Sequence, residues 1–110
     1  MHLVLEYLMG GELFQHIKSK GIFSEANAII VMKNLLGALE YIHQRGIIHR
    51  DIKPENLIMV DKDIHSANKI ADFGLATIMD KSILETLKCG SPGYVGTKVT
   101  SSRGAIKCRI

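Results

Sequence analysis

The segment from Ser24 to Arg45 constrains the fold more than any other part of this 110-residue chain, because 12 of its 22 residues are apolar and reach round most of a helical cylinder. Ser24 stands where a helix N-cap belongs, although Asn27 occupies the place at which a capping box carries Glu or Gln. Gly46 supplies the C-terminal stop. At helical spacing Ile29, Met32, Leu36, Leu39 and Ile42 form one stripe, while Ile30, Val31 and Leu35 spread apolar surface beside it. Such a helix is expected to be covered on more than one side.

The elements around it are short. His2 to Tyr7 is β-rich and apolar and reads as a buried strand, ended by Gly10-Gly11. Glu12 to Lys20 sets Leu13, Phe14 and Ile17 on one face of a short helix. After Gly46, Ile47-Ile48, Leu57 to Val60 and Lys69 to Ala71 are strand-like, with Asp61 to Asn68 as a hairpin connection. From Gly90 onward the chain is rich in Gly, Ser and Thr, and no element is expected after Val95. The mixture predicts an α+β fold.

Charge adds little to this picture. The net charge is +3, but Lys98, Arg103, Lys107 and Arg109 give the last 15 residues +4, so the remainder sums to −1. A basic tail of this kind is more often solvated and disordered than a nucleic-acid or membrane contact. No nucleic-acid or membrane partner is therefore expected. The isolated Cys89 and Cys108 lack metal-ligand spacing and read as reduced thiols in a cytoplasmic protein. The start has no basic n-region, and Glu6 interrupts its apolar run, so no secretory signal is expected. The longest purely apolar run, Ala28 to Met32, is too short to span a bilayer.

Two motifs carry chemistry. His49-Arg50-Asp51-Ile52-Lys53-Pro54-Glu55-Asn56 is followed, sixteen residues beyond Asn56, by Asp72-Phe73-Gly74. Seven specified positions recur by chance in roughly one window in 10⁹. The pair resembles the catalytic and metal-binding loops of eukaryotic-type serine/threonine protein kinases. Leu3 to Phe14 is similar to that family's last small-lobe strand, its hinge and the following helix, and Cys89-Gly-Ser-Pro-Gly-Tyr-Val to the end of its activation segment. The Gly-Gly-Glu-Leu-Phe and Cys-Gly-Ser-Pro-Gly-Tyr wording most resembles the calcium/calmodulin-dependent branch.

The resemblance implies a partial protein-kinase-like fold over residues 1–95: the last small-lobe strand and hinge, then the upper part of a mostly helical large lobe with short β-hairpins. Residues 96–110 match nothing recognised and are expected to form a basic tail. It also implies ATP and Mg²⁺ as cofactors and protein Ser/Thr hydroxyls as acceptors. Asp51 matches the acceptor of the hydroxyl proton, and Lys53 the lysine that steadies the transferring phosphate. Asn56 and Asp72 match the two metal ligands, both hard oxygen donors of the kind magnesium prefers. The backbone of Glu6 and Leu8 would pair with adenine, with Leu5 as gatekeeper and Ile58 as the floor, although both side chains are equally well explained as core. Glu12 resembles the residue that reaches the ribose; a solvated first-turn carboxylate remains the other reading. Glu55 and Glu12 sit where family members hold basic residues of peptide substrates. Ser91 matches the residue that contacts the catalytic aspartate and lysine, and His49 a structural brace against the Asp-Phe-Gly turn. Arg50 places the chain among kinases whose activation loop is often phosphorylated, with Thr86 the nearest candidate; an ordinary solvent-exposed loop threonine is an equally good reading of it. Calcium/calmodulin-type regulation is implied for a full-length relative.

Other family parts are missing from this sequence. No glycine-rich phosphate loop, small-lobe lysine or helix glutamate precedes the hinge, and Gly96-Thr97-Lys98 stands where Ala-Pro-Glu is expected. Each lost preorganised donor costs about 10²–10³ in rate. The chain alone is thus expected to be an inactive, truncated kinase. A non-catalytic kinase-derived binding fragment and the product of a truncated or misread gene stay open.

Overall fold

A computed structural model describes residues 2–21, 23–79 and 89–96. Its elements are strand β1 (Gly11–Glu12), helix α1 (Leu13–Lys20), helix α2 (Glu25–Gln44), strand β2 (Ile47–Ile48), a 3₁₀ turn (Pro54–Asn56), strand β3 (Leu57–Met59), strand β4 (Asn68–Ile70), a second 3₁₀ turn (Phe73–Leu75) and strand β5 (Thr77–Ile78). This is the expected α+β mixture. Thr86, the stretch from 80 to 88, and the basic residues and cysteine of 97–110 lie outside the described residues.

Helix α2 begins and ends where its local signals put it. The Ser24 hydroxyl oxygen accepts the Asn27 N–H at 3.2 Å. At the other end Gly46, at φ 70°, lets its N–H turn back to the His43 carbonyl at 2.9 Å. Which face it buries differs from expectation. Val31, Leu35 and Ile42 are buried, and Leu39 packs against the same core, whereas Ile29, Met32 and Leu36 are exposed. Apolar residues occur on nearly every face, so periodicity cannot choose among them. Docking of β4 makes the choice, with the buried Asn68 amide donating to the Val31 carbonyl at 3.3 Å.

Strands β1, β3 and β4 form an antiparallel sheet in that order, with Glu12 opposite Ile58 and Ile58 opposite Lys69. Alternation turns Leu57 and Met59 into the core with Leu13, Val31, Leu35 and Ile64. The connection from β3 to β4 is folded on itself: Asp61 accepts from the Asp63 N–H at 2.8 Å and Asp63 from the His65 N–H at 3.0 Å. Ile64 plugs it into the core. A second antiparallel pair, β2 with β5, follows α2.

The strand expected at His2–Tyr7 does not form. The segment joins no ladder, with Leu3, Val4, Leu5 and Tyr7 exposed. Composition favours a strand there, but a strand exists only with a neighbour, and the described residues offer it none before Met9 donates to the Val60 carbonyl at 3.1 Å. Among the described residues no helix is long and apolar enough to cross a membrane.

Candidate functional site

The loop between β2 and the first 3₁₀ turn is built around His49, which is 1% exposed. Its Nδ1 accepts the Asp51 N–H at 3.2 Å, which leaves Nε2 as the protonated nitrogen that donates to the Ala71 carbonyl at 3.0 Å. Phe73 packs edge-on against the ring at 4.8 Å. The imidazole therefore ties the loop to the turn at Asp72-Phe73-Gly74, as the sequence reading expected of a brace. Two residues take left-handed backbone, Arg50 at φ 69° and Asp72 at φ 58°. Arg50 donates from Nε to the Leu75 carbonyl at 2.6 Å. Asp72 accepts the Gly74 N–H at 3.1 Å, a local bond that stabilises its unusual conformation.

Asp51 is nearly enclosed by donors. Its Oδ1 accepts the Ser91 N–H at 3.0 Å and the Ser91 hydroxyl at 2.7 Å. Its Oδ2 pairs with the Lys53 ammonium at 2.9 Å and accepts the Asn56 amide at 3.3 Å. Lys53 also donates to the Ser91 hydroxyl oxygen at 2.7 Å. Asp51, Lys53, Asn56 and Ser91 thus form one connected group, although 40 positions separate Asp51 from Ser91.

These contacts set the charges. The Ser91 hydroxyl, then the Lys53 ammonium, hold the Asp51 carboxyl at about 2 against an ordinary 3.8, with desolvation opposing them. The hydrogen bond to Asp51 raises Lys53 above its ordinary value, and the charges of Glu55 and Asp72 add to this. Both groups are ionised at neutral pH. Because the folded pKa of Asp51 is depressed, its stabilising contribution is complete above 3.8 and lost as the pH falls through about 2. Ser91→Ala removes the largest cause, so the Asp51 carboxyl should titrate nearer 3.8 in a carbon-13 NMR experiment. A carboxyl still titrating near 2 would transfer the effect to Lys53.

Asn56 commits its amide nitrogen to Asp51, to the backbone carbonyl at 2.9 Å and the carboxylate at 3.3 Å, which leaves its side-chain oxygen as the acceptor. Asp72 is exposed, with one carboxylate oxygen engaged by Gly74. Two hard oxygens from neighbouring turns are a donor set that fits magnesium, which takes few protein ligands. Among the described residues no group of three or more His, Cys, Asp and Glu is gathered as a metal site.

The other residues singled out by sequence are arranged around the sheet. Glu12 is exposed and Ile58 half-buried, directly opposite each other on β1 and β3. Leu8 is half-buried just before β1. Glu55 is half-buried in the first 3₁₀ turn, and its Oε2 is shut from solvent without a hydrogen-bond partner. Leu5, expected at the back of the nucleotide site, is 79% exposed, because its segment has no strand to lie against. Glu6 does more than its backbone role suggested: its carboxylate pairs with Lys69 on β4. Nothing in the sequence singles out Lys69, since an isolated lysine in a short strand carries no pattern.

The protein kinase domain family matches residues 1–107, a range that runs past Val95. Similar relatives include myosin light chain kinase A of Dictyostelium discoideum, 42% identical over 104 residues that make up 94% of this chain and 35% of that protein. Human calcium/calmodulin-dependent protein kinase type IV is 45% identical over 97 residues, 88% of this chain and 20% of that one. Calcium/calmodulin-dependent protein kinase type 1 of Macrobrachium nipponense is 41% identical over 103 residues, 94% of this chain and 30% of that one. The chain spans about a fifth to a third of the length of these relatives.

Proposed function

The chain belongs to the protein kinase family, and from that premise we propose that it supplies the catalytic and metal-binding loops of a serine/threonine kinase of the calcium/calmodulin-dependent type. The family uses ATP and Mg²⁺. The reading rests above all on the connected group of Asp51, Lys53 and Ser91, in which a carboxylate and an ammonium converge on a hydroxyl at 2.7 Å from each.

In this reading Asp51 accepts the proton of a substrate Ser or Thr hydroxyl, and Lys53 steadies the phosphoryl group in transit. The Asn56 side-chain oxygen and the Asp72 carboxylate would hold magnesium, which when bound offsets the negative charge of the phosphates. Adenine would lie on Ile58 against the backbone of Glu6 and Leu8, with Glu12 reaching the ribose. The half-buried Glu55 and the exposed Glu12 suit basic residues near the phosphorylated position of a protein substrate. Residues 1–95, which lie within the matched range 1–107, act as part of a kinase domain. The whole protein works in the cytoplasm under calcium/calmodulin-type control.

By itself the chain should bind magnesium-ATP in the millimolar range or more weakly and turn it over negligibly, since no glycine-rich loop stands in its sequence. Grafting residues 2–95 into the complete kinase domain of a relative tests the assignment. The graft should phosphorylate serine and threonine in basic peptides. A graft that folds and binds ATP but transfers no phosphate would sink it.

A further inference from the structure

The sheet β1–β3–β4 has two unlike faces. Leu57 and Met59 point into the core, so Ile58 points to the other side, and the residues directly opposite it share that face. Across it runs a row of Glu12, Ile58 and Lys69: a carboxylate, an apolar centre and an ammonium. The Lys69 ammonium is paired with Glu6, 63 positions earlier in the chain. Glu6 lies in the segment whose Leu3, Val4, Leu5 and Tyr7 are exposed and which forms no strand. Burial does little to hold this segment, so a single ion pair has unusual influence on where it lies.

We infer that Lys69 is a positioning residue for the adenine-bearing end of the nucleotide: by pairing with Glu6 it straps the stretch from Glu6 to Leu8 alongside the face that carries Ile58. This rests on the nucleotide reading proposed above and gives a reason for the Glu6 side chain that the backbone pairing alone lacks. Lys69 touches neither phosphate nor the reacting atoms in this arrangement. It acts through the backbone it fixes, so its loss falls on recognition of the base and not on the phosphate end.

The probes are AMP and ribose 5-phosphate, which differ by the base, titrated into the full chain and followed by amide chemical shifts at Leu8 and Ile58. Wild type should prefer AMP. Lys69→Met should weaken AMP about threefold, the scale of an exposed ion pair, and leave ribose 5-phosphate unchanged. Lys69→Arg should restore the preference. Amide exchange from Glu6 to Leu8 should quicken in Lys69→Met while that of α2 stays as it was. Because Lys69 is 47% exposed, its replacement leaves the core intact. Equal AMP affinity in Lys69→Met and wild type would overturn this inference and spare the nucleotide reading. Parallel weakening of both probes would overturn it too, as a general disturbance. A wild type that does not distinguish AMP from ribose 5-phosphate would remove the nucleotide reading and this inference together.

Discussion

Gly10→Ala is expected to cost about 3 kcal/mol of folding stability, at the upper end for overpacking. A Cβ at residue 10 would lie closer than 3.0 Å to the Asp61 carbonyl oxygen, the Met59 Cβ and the Met59 carbonyl oxygen. Two of these are backbone atoms of the β3 strand and its exit, and neither swings aside as a side-chain tip could. Relief would require β1 to separate from β3, breaking the Gly10 N–H bond to the Met59 carbonyl at 3.1 Å. The adjacent Gly11→Ala is the control. Gly11 sits at φ 70° with nothing within 4 Å of an added Cβ, so it should lose only about 1–2 kcal/mol for left-handed backbone. Urea unfolding of the two variants separates the cases. Equal losses would mean that conformation, and not space, is what both glycines provide.

Asp51→Asn, in a graft that carries the whole domain, should lower kcat by about 10³-fold. The substitution keeps shape, but the surroundings give an amide no good orientation. Oδ1 faces the Ser91 N–H and hydroxyl, and Oδ2 faces the Lys53 ammonium and the Asn56 amide. An –NH₂ turned to Oδ2's place meets two donors that cannot accept, and turned to Oδ1's place it meets the Ser91 N–H. Asparagine therefore loses the proton acceptor and disturbs the cluster as well. Lys53→Ala should act mainly on kcat, through a contact that strengthens as the phosphoryl group moves. Glu12→Ala should act mainly on the KM for ATP, since a ribose contact serves ground and transition states alike. Steady-state kinetics of the three grafts, with circular dichroism to verify folding, would expose a wrong assignment as an Asp51→Asn graft near full activity.

What the sequence makes legible here is what is encoded locally. Ser24 and Gly46 bracket α2 because a cap and a left-handed stop act over a few residues. Alternation in Leu57-Ile58-Met59 puts the outer two on one face, a period-2 rule that needs no knowledge of the partner, but only the folded core decides that this face is the inner one. The buried face of α2 is not encoded in this way. Val31 and Leu35 are as apolar as Met32 and Leu36, and only the packing of β4 and the core residues Leu13, Leu57, Met59 and Ile64 decides between them. The two-residue strands β1 and β5 are too short to show any period. In the site, Asp51, Lys53, Asn56 and Asp72 stand out through fixed spacing. Lys69 and Glu6 are single surface charges far apart in the chain, and nothing short of the folded sheet brings them together.

The bonds from Ser91 to Asp51 and Lys53 bear on the order of events during folding. They join positions 40 and 38 apart, against a separation of two for the His49 bond to the Asp51 N–H. Closing a long loop loses chain entropy before any contact compensates for it. The loop from His49 to Asn56 can thus take its local shape early, with Asp51 Oδ2 already held by Lys53 and Asn56 and Oδ1 still open to water, and acquire its hydroxyl partner only when distant chain arrives. Depression of the Asp51 proton affinity then becomes a clock hand for the last stage of assembly, visible in refolding experiments as a change that lags behind the appearance of helix α2.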